Sequence, residues 1–271
     1  ELGAALFGYQ HLLEGPREPG PKDSMKGALL GPRFSREEIL KDLAASGVKW
    51  RELEEASFYD QVCEWLEQGK VIGVLNGRME FGPRALGSRS IIGDARNREM
   101  QSKMNLKIKF RESFRPFAPA VLASEAQDWF ELDCESPYML LAAPVKKEHR
   151  LPVPEGARDL EGIAKLKVIR STVPAITHVD FSARVQTAAE DSSPFFYQVT
   201  KRFKERTGCP VIVNTSFNVR GEPIVCRPSE AIRCFLNTEM DILLIENFAL
   251  LKEEQVISAD REKYLKQFAL D

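Results

Sequence analysis

The hydrophobic pattern of this chain alternates between helix-like and strand-like periods. Ser35 and Glu38 form the S-x-x-E pattern of a capping box, and the apolar period that follows ends at Gly47, which predicts a first helix. A second amphipathic stretch at 57–68 predicts another helix, and it leads into the apolar run 71–75, which is typical of a buried strand. The early part of the chain therefore predicts two helices followed by a strand.

The same alternation is clearest in the last third of the chain. The pattern there predicts helix 193–206, strand 211–213, helix 228–237 and strand 242–245. Shorter strands are predicted at 119–122 and 138–141, whereas 148–178 is prolyl and irregular, as in a lid or an insertion. This alternation predicts an α/β fold with ligand sites at strand ends.

Domain boundaries are indicated by a change in composition. Residues 15–34 are rich in proline, glycine and charge, which predicts a connecting segment. Because the chain begins in mid-element without methionine, we expect 1–34 to be the tail of a preceding domain plus a linker. We expect 35–252 to form the main domain and 253–271 to form a peripheral, charged C-terminal helix.

The overall composition excludes several classes of protein. A net charge of −2 gives no bias toward nucleic acid or an anionic membrane, so neither is an expected partner. The five cysteines lack C-x-x-C spacing and the three histidines lie far apart, so we expect no structural zinc and no disulfide framework. No apolar run approaches the roughly 20 residues of a membrane span, and we expect a cytoplasmic protein. P-loop, Rossmann, serine-hydrolase and zincin motifs are missing from the sequence.

Positive charge is concentrated between Arg78 and Arg115. This stretch carries ten basic and four acidic residues, which leaves a net charge of −8 on the rest of the chain. Arginine and lysine bind phosphate oxygens, and the interleaved Gly77, Gly82 and Gly87 let backbone amides approach an anion closely. The pattern favours a site for a phosphorylated substrate, and a solvated basic face is the alternative.

Two further groups of polar residues are candidates for a site. The loop 214–223 directly follows a predicted strand, where open α/β sheets bind ligands, although an ordinary turn with Asx-type hydrogen bonds fits equally well. His178, Asp180, Arg184 and Gln186 combine a possible proton-transfer group with guanidinium and amide donors. A structural histidine beside a surface arginine explains that group as well.

The stretch Gly77–Ser90, GRMEFGPRALGSRS, resembles the signature of the nodulation and antibiotic-tailoring O-carbamoyltransferases. The resemblance continues through 109–119, 178–187 and 214–225, and covers most of residues 28–252. Phe181 departs from it, because a glycine is expected after His-Val-Asp. Gly3-Ala4-Ala5-Leu6 resembles the end of the family's N-terminal, actin-like domain.

The resemblance implies a YrdC-like fold, a twisted mixed open sheet with helices and a basic concave site. Domains of this kind share K-x-R and S-x-N pairs, which are matched here by two pairs of residues. The implied catalytic residues are Lys109, Arg111, Ser216 and Asn218. The residues assigned to substrate and ATP binding are Arg78, Arg84, Arg89, Arg115, His178, Arg184 and Asn214.

The family's chemistry implies carbamoyl phosphate and ATP as substrates. Carbamate released from carbamoyl phosphate attacks the α-phosphate of ATP and gives carbamoyl adenylate and pyrophosphate. We identify no protein ligands for a metal, and Mg²⁺ is expected to bridge the triphosphate. A missing N-terminal actin-like transfer domain of the same polypeptide would pass the carbamoyl group to a small-molecule hydroxyl acceptor.

Two other functions fit parts of the sequence. One is a threonylcarbamoyl-adenylate synthase-like enzyme, against which the long Gly77–Ser90 motif favours the O-carbamoyl family. The other is a non-catalytic nucleotide- or RNA-binding module, whose RNA form is disfavoured by the net negative charge.

Overall fold

A mixed open sheet of nine strands forms the centre of the part of the chain described by the computed structural model, residues 2–18, 20, 23–157, 159–166, 168–256 and 261–268. The strands are β1 Arg51–Glu52, β2 Ile72–Leu75, β3 Arg89–Asp94, β4 Ala118–Leu122, β5 Leu141–Pro144, β6 Ser182–Ala188, β7 Val211–Ser216, β8 Ile242–Ile245 and β9 Phe248–Leu251. Their order across the sheet is β1-β9-β8-β2-β3-β7-β4-β6-β5. The pairs β2–β8 and β4–β6 are parallel and the other neighbours are antiparallel. The predicted α/β class with a mixed open sheet is therefore confirmed.

Helices cover the central strands. The α-helices of the described residues are α1 Leu2–Phe7, α2 Arg36–Ser46, α3 Phe58–Glu67, α4 Met100–Met104, α5 Ala126–Trp129, α6 Gly162–Leu166, α7 Pro194–Thr207, α8 Pro228–Leu236 and α9 Arg261–Leu265. Helix α1 continues as a π-helical turn at Gly8–Leu12, and α4 continues as another at Asn105–Lys109. Helix α3 packs on α7, and α2 packs on α8. Every residue of β2, β3, β4 and β8 is buried, as expected for strands enclosed on both faces.

Most locally encoded elements lie where the sequence predicts them. Ser35 and Glu38 form the complete capping box of α2, and Gly47 ends that helix in the left-handed region with φ of 63°. The predicted helices at 57–68, 193–206 and 228–237 are confirmed as α3, α7 and α8. The predicted strands at 71–75, 119–122 and 242–245 are also confirmed.

Two strand predictions need correction. The strand predicted at 138–141 is wrong in position, because Met139 turns the chain with a φ of +53° and β5 begins only at Leu141. Strand β7 extends beyond the predicted 211–213 to Ser216, so part of the predicted polar loop is strand. Strands β3 and β6 were not predicted, because each contains charged or polar residues that only the tertiary structure buries.

The prolyl segment before α2 and the C-terminal helix α9 both contact the main fold. The amides of Gly31 and Phe81 donate to the carbonyls of Met79 and Ala28 at 2.9 and 2.7 Å, so the prolyl segment packs beside the Arg78–Phe81 stretch. At the other end, Tyr264 of α9 is 3% exposed and belongs to the core. Helix α9 thus anchors to the core through Tyr264, while its neighbours Glu262 and Lys263 are exposed.

Candidate functional site

A cavity of about 150 Å³ brings together side chains from five separate stretches of the chain. Strand β7 supplies Asn214, Thr215 and Ser216, whereas Arg184 comes from β6 and Arg111 follows the π-helical turn. Strand β4 lies between β6 and β7 in the sheet, which brings their polar residues to the same region. The lining residues are Pro83, Arg84, Ala85, Arg111, Pro116, Phe117, Ala118, Met139, Arg184, Asn214, Thr215 and Ser216.

Lys109 lies beside this cavity with its ammonium enclosed by oxygens. Its Nζ donates to Asn218 Oδ1 at 2.7 Å, to the Asn218 carbonyl at 2.9 Å and to Ser216 Oγ at 3.3 Å, and it also contacts the Ser216 carbonyl. Ser216 Oγ donates to Asn218 Oδ1 at 2.7 Å. The K-x-R lysine and the S-x-N pair therefore form one hydrogen-bonded cluster.

The charge of Lys109 is sensitive to its surroundings. Burial, followed by repulsion from Arg111, lowers the pKa of Lys109 from its ordinary value of 10.5 to about 7. The nearby Glu222 and Cys234 act in the opposite direction on this pKa. Lys109 is consequently a cation whose protonation changes near neutral pH.

Arg111 is held at the cavity by two contacts. Its Nε donates to Asn105 Oδ1 at 2.6 Å, and its guanidinium carbon lies 5.0 Å from the centre of the Phe117 ring. Asn105 is fixed in turn by donating to the carbonyls of Ser113 and Arg115 at 3.1 and 2.7 Å. Burial, followed by repulsion from Arg115, lowers the pKa of Arg111 to about 10, so it is cationic at neutral pH.

Two buried polar atoms at this cavity have no hydrogen-bond partner in the described part of the chain. They are the Nε of Arg184 and the Oδ1 of Asn214. Leaving such an atom unpaired costs about 1–3 kcal/mol, and native proteins rarely contain one without a reason. One donor and one acceptor in residues that line the cavity are therefore left without a protein partner.

The loop that carries Arg84 is fastened by a buried carboxylate. Glu80 Oε1 accepts from the amides of Leu86 and Ser88 at 2.8 and 2.5 Å, and more weakly from the amide of Arg89 at 3.4 Å. Glu80 is 4% exposed. A single acid within a basic, glycine-rich motif is the sequence signal for this role, and the pattern of basic residues alone does not predict it.

A second fastening joins this loop to the sheet. Gln186 Nε2 donates to the Leu86 carbonyl at 2.8 Å, and Asn214 Nδ2 donates to Gln186 Oε1 at 2.7 Å and to the Ala85 carbonyl at 2.9 Å. The loop position thus depends on two amide side chains from separate strands. Gln186 belongs to the third group of candidates from the sequence, whereas Asn105 is a residue of the site that the sequence pattern did not indicate.

Arg89 and Arg78 lie away from this cavity. The Arg89 side chain is fully buried, and its nitrogens donate to the carbonyls of Cys226, Asn76 and Ser88 at 3.1, 3.2 and 2.9 Å. The prediction that Arg89 binds phosphate is therefore corrected, because backbone oxygens occupy its donors. Arg78 is exposed, donates to the Gly31 carbonyl at 3.0 Å and lines a different cavity of about 90 Å³.

His178 and Arg115 also lie outside the cavity lining. His178 borders a separate cavity of about 170 Å³, and burial lowers its pKa, so the imidazole is neutral at pH 7. The turn after it places Phe181, the residue found where a glycine was expected, at a φ of +65°. Arg115 is exposed and acts on the site through its repulsion of Arg111.

Another cavity has a volume of about 720 Å³. Its lining includes Arg98, Lys103 and Lys107. Lys103 is paired with Asp241 at 2.8 Å and Lys107 with Glu239 at 3.2 Å. Two of its three cations are thus already neutralised by the protein.

Among the residues that the structure describes, no group of three His, Cys, Asp or Glu side chains is placed to hold a metal ion. None of the described helices has the length and hydropathy needed to cross a membrane. The donors that do converge on the cavity are guanidinium, hydroxyl and amide groups, which suit an anionic ligand.

Comparison with known families assigns the chain. A family model described as Carbamoyltransferase C-terminus matches residues 63–252. This chain belongs to that family. The match includes Lys109, Arg111, Ser216 and Asn218, and it ends before α9.

Curated relatives agree with this assignment. An uncharacterized protein of Synechocystis sp. is 52% identical over 273 residues, covering 100% of this chain and 44% of its own length. The nodulation protein NolO of Bradyrhizobium diazoefficiens is 35% identical, covering 93% of this chain and 42% of its own length. A 3'-hydroxymethylcephem-O-carbamoyltransferase of Streptomyces clavuligerus is 33% identical over 168 residues, which are 62% of this chain and 28% of that enzyme. The chain thus spans less than half the length of each of these three relatives.

Solved structures of HypF are more distant. HypF of T. kodakarensis has a TM-score of 0.44 at 17% identity, covering 78% of this chain and 23% of that protein.

Proposed function

We propose that this domain converts carbamoyl phosphate and ATP to carbamoyl adenylate. The observation that carries the proposal is the cavity where Arg84, Arg111 and Arg184 meet the unpaired Asn214 Oδ1 beside the Lys109 cluster. Three guanidinium groups match the phosphate oxygens of both substrates, since each can bind them through two hydrogen bonds. Membership of the carbamoyltransferase C-terminal family supports the transfer of a carbamoyl group.

The residues divide into two roles in this proposal. Arg84, Arg111 and Arg184 neutralise phosphate oxygens and the charge that develops at the reacting phosphorus. Lys109 holds Ser216 and Asn218 in place through its hydrogen bonds, and the Ser216 hydroxyl lies at the cavity. Asn214 Oδ1 offers an acceptor that suits the amino group of a carbamoyl compound.

The reaction has two balanced steps. Water cleaves carbamoyl phosphate to carbamate and inorganic phosphate, and a carbamate oxygen then attacks the α-phosphorus of ATP. A new oxygen–phosphorus bond forms as the bond to the β-phosphate oxygen breaks, which releases pyrophosphate. Mg²⁺ bound to the ATP phosphates would neutralise part of their charge.

The complete transfer needs more than this chain. We propose that residues 35–252 form the adenylating unit and that a preceding actin-like domain transfers the carbamoyl group to a hydroxyl acceptor. The length of the relatives supports an additional region, because this chain accounts for 44% and 42% of two of them. The acceptor is expected to be a small molecule bound mainly by that region.

Pyrophosphate release tests the proposal. The purified chain is incubated with Mg²⁺, ATP and carbamoyl phosphate, and each substrate is omitted in turn. We expect release to depend on both substrates and to fall about 100-fold or more in Arg111→Ala and in Lys109→Ala, because a preorganised charge or its support is lost. Lys41→Ala, which changes an exposed lysine of α2, is the matched control and should retain the rate of the unaltered chain.

The possible results are distinct. ATP binding without release would place the missing requirement in the preceding domain, and the assay would then be repeated with that domain joined to the chain. Near-normal release in both Arg111→Ala and Lys109→Ala would remove these residues from the site. Binding of ATP without any effect of carbamoyl phosphate, even in the longer protein, would favour a nucleotide-binding module.

A further inference from the structure

A buried hydrogen-bonded chain connects the C-terminal helix α9 to the candidate site. The hydroxyl of Tyr264 donates to Glu222 Oε1 at 2.5 Å. The other carboxylate oxygen, Glu222 Oε2, accepts from the amide of Val219 at 2.9 Å. Tyr264 and Glu222 are 3% and 7% exposed, so this connection is shielded from water.

Glu222 is also bonded to the residue that encloses Lys109. The side-chain amide of Asn218 donates to the carbonyl of Glu222 at 2.6 Å, while Asn218 Oδ1 accepts from Lys109 Nζ at 2.7 Å. The amide nitrogen of Asn218 is therefore bonded to Glu222, and its amide oxygen is bonded to Lys109. A shift of Glu222 would move the oxygen that Lys109 contacts.

Tyr264 is well placed to hold the carboxylate. Its ring lies edge-on to Phe268 at 5.2 Å between centroids, and the guanidinium carbon of Arg233 lies 5.7 Å from the ring centre. The thiol of Cys234, on α8, contacts both Tyr264 and Glu222. Since a buried carboxylate needs donors, the tyrosine hydroxyl is one of the groups that stabilise Glu222 in its position.

We propose that Tyr264 is a positioning residue of the candidate site, which acts through Glu222 to fix the 216–222 loop around Lys109. The residue lies outside the part of the chain that the family model matches, residues 63–252. The C-terminal segment is then a working part of the site. The effect of Tyr264 on turnover rests on the proposed function, whereas its effect on the loop does not.

Hydrogen exchange tests the loop directly. In Tyr264→Phe, which keeps the ring and removes the hydroxyl, we expect exchange of the Val219 amide to accelerate at least about tenfold, as the loss of a hydrogen bond to a charged group implies. Amides of the central strand β8 should exchange at the rate of the unaltered chain. Tyr197→Phe, on α7, removes a phenol hydroxyl elsewhere and should leave the Val219 amide unchanged.

A double-mutant cycle with Glu222→Gln separates positioning from general stabilisation. If Tyr264 acts through the carboxylate, Tyr264→Phe should change Val219 exchange and pyrophosphate release much less in the Glu222→Gln background. Equal acceleration of Val219 and β8 amides, or an unchanged Val219 amide, would overturn the proposal. Should Tyr264→Phe fail to fold, Glu222→Gln alone must loosen Val219 selectively, and uniform exchange in it would reject the idea.

The hydrogen-exchange measurement at Val219 does not depend on the proposed adenylation reaction. If the unaltered chain releases no pyrophosphate, the proposed function fails while Val219 exchange still reports on Tyr264. If the unaltered chain is active and Tyr264→Phe loosens Val219 but keeps full turnover at every substrate concentration, the positioning role is rejected and the proposed function is retained. We expect instead that pyrophosphate release by Tyr264→Phe is about tenfold slower than that of the unaltered chain, and that release by the control Tyr197→Phe is unchanged.

Discussion

The ammonium of Lys109 shows how strongly one residue can depend on its surroundings. Its nitrogen is enclosed by oxygens of Ser216 and Asn218, and burial with the repulsion of Arg111 lowers its pKa to about 7. A lysine in the unfolded chain keeps a pKa near 10.5. The folded state therefore holds Lys109 uncharged at a pH where the unfolded chain holds it protonated.

This difference predicts a pH-dependent stability. Between pH 7 and 10.5 the unfolded chain binds one more proton at Lys109 than the folded chain, so this residue makes stability rise with pH. The rise is up to about 1.4 kcal/mol per pH unit, and Lys109→Met should lack it. Urea unfolding at pH 7, 8 and 9 measures the free energy of unfolding of both proteins. The difference between the two proteins at each pH removes the contribution of the other titrating groups. Parallel pH profiles would contradict the lowered pKa.

Phe181 allows a second prediction for a single residue. Its φ of +65° is strained for a residue with a Cβ, while its ring lies 4.9 Å from the guanidinium carbon of Arg150. Phe181→Ala loses the ring contact and keeps the strain, whereas Phe181→Gly loses the contact and relieves the strain. We expect Phe181→Gly to be more stable than Phe181→Ala by about 1 kcal/mol, measured by urea unfolding. An alanine variant as stable as the glycine variant would show that the backbone is not strained.

The loop between β2 and β3 illustrates how an element without regular structure is fixed. Glu80 accepts from three backbone amides, and Gln186 and Asn214 bind carbonyls of the same loop. This loop carries Arg84 to the cavity. The glycines make the loop possible, but distant side chains select its conformation.

Removal of the Glu80 carboxylate should therefore affect both stability and the site. We expect Glu80→Ala to lower the free energy of unfolding by at least about 2 kcal/mol, because buried amides lose their acceptor. Glu80→Gln keeps one acceptor oxygen and should cost less. Urea unfolding provides the measurement, with the exposed Glu55→Ala as the control that should stay near the unaltered chain. Equal stability of Glu80→Ala and Glu55→Ala would rule out this role.

At the scale of the whole molecule, the core and the site share residues. Gly73 lies in β2, and a Cβ added there would come within 2.8 Å of Phe217 Cζ and 3.0 Å of the Met240 sulfur. Phe217 is fully buried and lies between Ser216 and Asn218 in the chain. Packing under the sheet is thus directly connected to the residues around Lys109.

Gly73→Ala tests that connection. We expect it to lower the free energy of unfolding by about 1–3 kcal/mol through overpacking against Phe217, and to reduce pyrophosphate release in the active protein. Gly156→Ala is the matched control, because a Cβ at Gly156 meets no atom within 4 Å. Calorimetry and the release assay measure the two effects. A normal Tm and rate in Gly73→Ala would mean that Phe217 moves without cost.

The sequence alone determined the elements whose contacts are local. The capping box of Ser35 and Glu38 and the apolar runs of β2 and β8 act within a few residues, so their pattern predicts them directly. The K-x-R and S-x-N pairs also led to Lys109 and Ser216, which the structure joins. Family resemblance, rather than periodicity, gave those roles.

Only the tertiary structure decided where polar side chains point and which of them meet. Arg89 has the residue type of a phosphate ligand, yet backbone carbonyls take its donors in the interior. The meeting of Asn214 with Gln186, and of Tyr264 with Glu222, joins residues that are distant in the chain. The order of strands in the sheet and the packing of helix α9 on the core set these distances. Neither can be predicted from local hydrogen bonds or from the period of hydrophobic residues.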